Sequence, residues 1–126
     1  GTVVTASREG RVGWARDGCP DYQTACTNLI TIIHDDGLVS VYSHLTNHGV
    51  LVSPGQMVQA GDTIGLSGVT GNTGGLPHLH FSVHPCNELP GLLNAGDCPS
   101  LPVNFRNTEP NPSGLVARRS YAAEPY

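Results

Sequence analysis

Asn28-Leu-Ile-Thr-Ile-Ile-His34, Asp35-Asp36-Gly37 and Leu38-Val-Ser-Val-Tyr-Ser-His44 follow one another without a break. The first segment is an almost continuous β-branched and apolar run, the composition of a central strand buried on both faces. Asp-Asp-Gly supplies an Asp-Gly turn, and the third segment returns with strict alternation. That alternation places Leu38, Ser40, Tyr42 and His44 on one face, with Val39, Val41 and Ser43 on the other. The pair is the strongest hairpin signal in the chain, and it sets the expected class as all-β.

The flanking sequence agrees. Gly10-Arg-Val-Gly-Trp-Ala15 reads as a short strand. Val50 to Gly65 carries short apolar pairs punctuated by Gly55, Gly61 and Gly65, a rhythm of small strands folded around a compact core. Ser67 to Gly75 is a glycine-rich, flexible loop leading into a last core strand, His78-Leu-His-Phe-Ser-Val-His84. After Pro85 periodicity fades. Residues 87–126 read as an irregular Pro- and Asn-rich extension over the domain, with Pro102 to Asn107 as a candidate edge strand. The expected organisation is one domain: a core over 1–86 and an extension over 87–126. No segment reads as a helix, and there is no internal repeat.

Composition narrows the function. The chain has 126 residues, 16 glycines and 10 prolines, 38% apolar residues, 13% charged residues and a net charge of −4. This suits turns and short strands rather than a helical bundle. With no basic cluster, an acidic chain is a poor nucleic-acid binder. No apolar run reaches the roughly 18 residues of a membrane span. The opening Gly1-Thr-Val-Val has no Met and no basic n-region, so no signal peptide is read there and the chain is taken as a mature or cropped segment. Cys19, Cys26, Cys86 and Cys98 form two local pairs, neither with zinc-knuckle spacing. Four cysteines allow three disulfide connectivities; local pairing is the expected one, and it points outside the cytoplasm.

Six histidines in so charge-poor a chain mark the candidate site. His78-Leu-His80 on a strand sets both rings on one face, roughly 6–7 Å apart. His44 ends its own strand. Three histidines at strand ends beside glycines suggest a zinc hydrolase, although spacing alone leaves open plain strand histidines with satisfied hydrogen bonds. His34 is expected in a turn, His48 in an exposed loop and His84 at the periphery. There is no Gly-x-Ser-x-Gly elbow, and the glycine-rich loop lacks P-loop spacing and its lysine.

Together these residues resemble a known family. Tyr42-Ser-His-Leu45, the series Val52, Gly55, Val58, Gly61-Asp62, Ile64 and Ser67-Gly68, then Thr70-Gly71 and His78-Leu-His-Phe81 occur in an order similar to the lysostaphin-type zinc endopeptidases of metallopeptidase family 23. Gly1-Thr-Val-Val with Gly10-Arg-Val resembles that family's first core hairpin. The resemblance implies a small antiparallel β-sandwich or barrel, the duplicated hybrid motif. It also implies extracytoplasmic bacterial proteins that cut peptide cross-links of peptidoglycan. It makes His80 a zinc ligand, with His44 and His78 positioning and deprotonating the water. The family's other ligands, a His and an Asp in His-x-x-x-Asp, lie upstream of the Gly-Thr-x-Val strand, and no residue of this sequence matches them. The reading is therefore a zinc peptidase domain with an incomplete donor set; the alternative is a non-catalytic member that binds cell wall or regulates another hydrolase. A third, a biotinyl or phosphotransfer carrier, shares the Val-x-x-Gly rhythm, but all six basic residues are arginine and no lysine exists to carry a prosthetic group.

Overall fold

The hairpin forms as its sequence directs. In the computed structural model, which describes residues 1–86, 98–106, 108, 114–117, 119 and 121, Asn28–Ile33 is the third of seven strands and Val39–Val50 the fourth. The order is β1 (Val3–Thr5), β2 (Gly10–Arg16), β3 (Asn28–Ile33), β4 (Val39–Val50), β5 (Met57–Val58), β6 (Thr63–Ser67) and β7 (His80–His84). No helix occurs among the described residues. Every pairing is antiparallel, in the order β1-β6-β4-β3-β2-β5, with β7 added alongside β4.

β3 is central because it is flanked by β2 and β4 and buried along almost its whole length. One face carries Ile30 and Ile32. They pack with Val12, Tyr42, Leu45 and Ile64 in the main core, all at or near zero exposure. Each such side chain contributes roughly 1.5–3 kcal/mol on burial. The other face carries Leu29 and Thr31 and becomes the floor of the candidate site.

β4 explains the position of that site. It runs six residues past His44, where the sequence suggested a stop, and changes partner on the way. Val39 to Ser43 pair with β7; Leu45 and Val50 pair with β6. Between those stretches stands His44, with φ 65°, and opposite it the register slips, so that Asn28 faces Leu45 and Leu29 faces Ser43. This is a bulge, and bulges re-aim side chains.

Three expectations need correction. Strict alternation put His44 on the face of Tyr42; the bulge gives that core position to Leu45 and turns His44 to the side of Ser43 and His80. The opening residues do not hairpin with Gly10-Arg-Val: β1 pairs with β6, and β2 with β3 and β5. Backbone bonds from Ala6 N–H to Asp62 O and from Gly61 N–H to Ala6 O keep the chain beside the β5–β6 turn instead of folding it back. Residues 102–106 form no strand, and Asn107 lies outside the described residues. Leu101 N–H does bond Val83 O, but no ladder over 102–106 extends that contact. Of the 87–126 extension, residues 87–97 and most of those beyond 106 also lie outside the described residues.

Disulfides join Cys19 to Cys26 and Cys86 to Cys98, with Cα separations of 5.5 and 6.2 Å. Thr24 and Ala25, within the first disulfide loop, and Cys98 of the second disulfide border the sheet's second face.

Candidate functional site

His44, His78 and His80 meet where β4 exchanges β7 for β6. The ring of His44 lies 4.9 Å from that of His78 and 5.8 Å from that of His80, centroid to centroid. His80 opens β7. His78 stands just before it, held by an isolated bridge to Gly68 at the end of β6.

Each ring is oriented differently. His44 donates from Nδ1 to the Thr70 carbonyl at 2.7 Å, and His78 donates from Nδ1 to the Leu76 carbonyl at 2.9 Å. A carbonyl has no proton to give, so Nδ1 carries it in both rings. Each neutral ring therefore keeps an Nε2 lone pair, able to accept a proton or bind a cation. His80 has no hydrogen bond among the described residues. Desolvation in the cleft, and then the like charges of His44, His78 and His84, hold its imidazole below the ordinary histidine value.

The support behind His44 is extensive. Thr70 is fully buried, its hydroxyl donating to Leu45 O and accepting from Asn28 N–H. The Asn28 amide accepts from Cys19 N–H and donates to Cys19 O and Thr46 O. Gly71 follows at φ 81°, where a Cβ would collide with Thr27 Oγ1 and press on His44 Nδ1. Its N–H bonds Gln23 O, so the near end of the glycine-rich loop is pinned rather than free. Sequence reasoning named Thr70 and Gly71 only as part of a motif and missed Asn28; an apolar run opening on a polar residue was the available signal.

Of the remaining histidines, His84 lines the same cleft as His44 and His80, while His34 and His48 do not. His34 is buried, its two nitrogens engaged by Glu9 O and Ser40 Oγ. His84 is not peripheral: it is 8% exposed and bonds Cys98 O and Ser82 Oγ. Pro85 ends the strand there, but the disulfide-linked Cys98 folds back over its ring. His48 is exposed as expected, although within the span of β4.

A cleft of about 640 Å³ extends from His44 and His80 over the second face of the sheet. Leu29, Val41 and Ser43 form its floor, Thr24 and Thr27 one wall, and Pro99 and Ser100 another. Arg16 lies in its lining; no carboxylate does among the described residues.

Comparison with known proteins fits this geometry. The Escherichia coli murein hydrolase activator NlpD is 36% identical over 97 residues, covering 71% of this chain and 24% of that protein. The catalytic domain of the antimicrobial peptidase lysostaphin from Staphylococcus simulans superposes with a TM-score of 0.54 at 38% identity, over 66% of this chain and 58% of that one. A zinc-containing peptidase from Vibrio cholerae gives a TM-score of 0.54 at 34% identity, over 66% of this chain and 23% of that one. The chain spans about a quarter or less of the length of the curated relatives it matches. The model of peptidase family M23 matches residues 1–90, a stretch that holds all seven strands and all three converging histidines, and the chain belongs to that family.

Proposed function

We propose that residues 1–86 form the core of a peptidoglycan peptidase domain of the M23 type, acting outside the cytoplasm on peptide cross-links of the bacterial cell wall. The observation that carries this reading is the convergence of His44, His78 and His80, two of them with Nδ1 committed to a carbonyl and Nε2 left available. The two disulfides and the murein-directed name of the NlpD relative support the compartment and the substrate class.

In this reading His80 is a metal ligand, and His44 and His78 flank the reacting groups. A neutral imidazole whose Nε2 is free takes a proton from water; the imidazolium so formed returns it to the departing amine. Fixing Nδ1–H on a backbone carbonyl removes the wrong tautomer before substrate arrives. An imidazolium beside the scissile carbonyl also stabilises the developing oxyanion.

The donor set does not by itself fit the zinc implied by the family. A catalytic zinc site takes three protein ligands. No group of three or more His, Cys, Asp or Glu side chains placed to hold a metal occurs among the described residues. That same observation, with the similarity to an activator, supports a second reading: a domain that binds cell wall or governs another hydrolase without cutting.

One experiment separates them. The natural protein carrying this chain is isolated, its zinc content measured by mass spectrometry, and its activity on purified peptidoglycan assayed beside His80→Ala. The peptidase reading expects about one zinc per chain, and loss of both metal and hydrolysis in the variant. Metal-free protein without hydrolysis in the wild type leaves the activator reading.

A further inference from the structure

The face carrying the candidate site has a second chemical feature, at its opposite edge. Arg16 pairs with Leu29, Leu29 with Ser43, and Ser43 with His80. Directly opposed residues share a face, so these four side chains form one row across β2, β3, β4 and β7. Strands are spaced about 4.8 Å apart, which sets the backbones of Arg16 and His80 roughly 14 Å from each other. At about 3.3 Å per residue, that is the length of some four residues of extended peptide.

The row crosses the cleft, with Arg16 and His80 both in its lining and Leu29 and Ser43 in its floor. Arg16 is exposed, and its guanidinium makes no hydrogen bond or ion pair among the described residues. By contrast Arg8, between β1 and β2, is held by Asp36 of the β3–β4 turn. With hydroxyls, imidazoles and a guanidinium in its lining, and no carboxylate among the described lining residues, the cleft favours an anionic guest. A guanidinium presents a planar fork of donors that matches a carboxylate in bidentate geometry.

We propose that Arg16 is the residue of this cleft that binds a carboxylate, selecting peptides whose acidic group lies about four extended residues from the atoms gathered at His80. The inference rests on the reading of the cleft as a cell-wall peptide site and adds to it the charge of the preferred peptide and the distance at which that charge is read. Arg16 touches no reacting atom in this scheme, so its loss raises KM or Kd and leaves kcat near its starting value.

The test uses the natural protein and cross-linked peptides released from peptidoglycan, in two forms: the free acids, and the same peptides with carboxyls converted to carboxamides. Affinity is read by calorimetry, with circular dichroism confirming that each variant is folded. Wild type is expected to favour the acids by about tenfold, the scale of one charge-assisted hydrogen bond in a partly wet site. Arg16→Ala abolishes the preference, Arg16→Lys restores part of it, and Arg16→Glu reverses it. Equal binding of acid and amide by wild type, an unchanged preference in Arg16→Ala, or no binding of either form overturns the proposal. Failure of the function reading shows separately: a preference lost in Arg16→Ala, with no hydrolysis by wild type, keeps the arginine's role and removes the peptidase. Hydrolysis with an unaltered preference in Arg16→Ala does the reverse.

Discussion

The two ends of the β3–β4 pair both carry histidine, and they treat it in opposite ways. At the turn end, His34 is buried with both ring nitrogens bonded, to Glu9 O at 2.7 Å and to Ser40 Oγ at 3.0 Å. Ser40 Oγ in turn donates to Tyr42 Oη, which accepts from Ser7 N–H and shares a hydrogen bond with Ser7 Oγ. That network is closed. At the far end, His44 and His78 each spend one nitrogen on a backbone carbonyl and hold the other free beside His80. A ring with both nitrogens bonded to protein is a structural element; a ring anchored on one side only is oriented for something that arrives. The same residue type, some 10 residues apart in one hairpin, is thus bonded through both nitrogens in one place and through one in the other.

The largest effect on stability is expected at the closed end. Tyr42 is 1% exposed; its ring lies 5.1 Å from Phe81 and its hydroxyl holds the network together. Tyr42→Ala should cost roughly 3–5 kcal/mol, the range for deleting a buried aromatic ring. Urea unfolding followed by circular dichroism measures it. A cost under about 1 kcal/mol would mean that the core does not lean on this end of the hairpin.

A matched pair of substitutions sharpens the contrast. His34→Leu takes a partner from the buried Ser40 Oγ and from Glu9 O, at a cost of roughly 1–3 kcal/mol. His78→Leu alters an exposed side chain and should fall within about 0.5 kcal/mol of wild type. Equal costs would erase the distinction between the closed and open ends.

The closed end was largely legible in the sequence, and the open end only in outline. The β-branched run, the Asp-Gly turn and the alternation of 38–42 are local signals, and they place β3 and the first half of β4 correctly. The three histidines of the site were found through His-x-His and the family motif. Their arrangement was not, because it depends on partners distant in sequence. His44 faces the cleft only because β4 passes from β7 to β6 at that residue, and no period within residues 38–50 encodes a change of neighbour. His84 was misjudged for a similar reason: its cover comes from Cys98, across a disulfide loop. Arg16 enters the cleft by register across four strands, information that no single segment contains.

The smallest effect concerns the surface of the closed end. Arg8 donates to Asp36 Oδ2 at 2.9 Å, while Asp36 Oδ1 accepts the N–H of Leu38 across the turn. The bond from Arg8, followed by that from Leu38, holds the Asp36 carboxyl below its ordinary value of 3.8. A carboxylate whose folded pKa is depressed adds stability above its unfolded pKa and loses it as pH falls through the folded one. Both partners are well exposed, so the contribution is slight and screened by salt. Arg8→Ala should therefore shift the urea midpoint barely at pH 7, and that small shift should fade as acid protonates Asp36. A loss at pH 7 as large as that of His34→Leu would assign the closed end to its surface ion pair. A small loss that disappears in acid leaves it with the buried chain from His34 to Ser7, where the hydrogen bonds are shielded from solvent and salt.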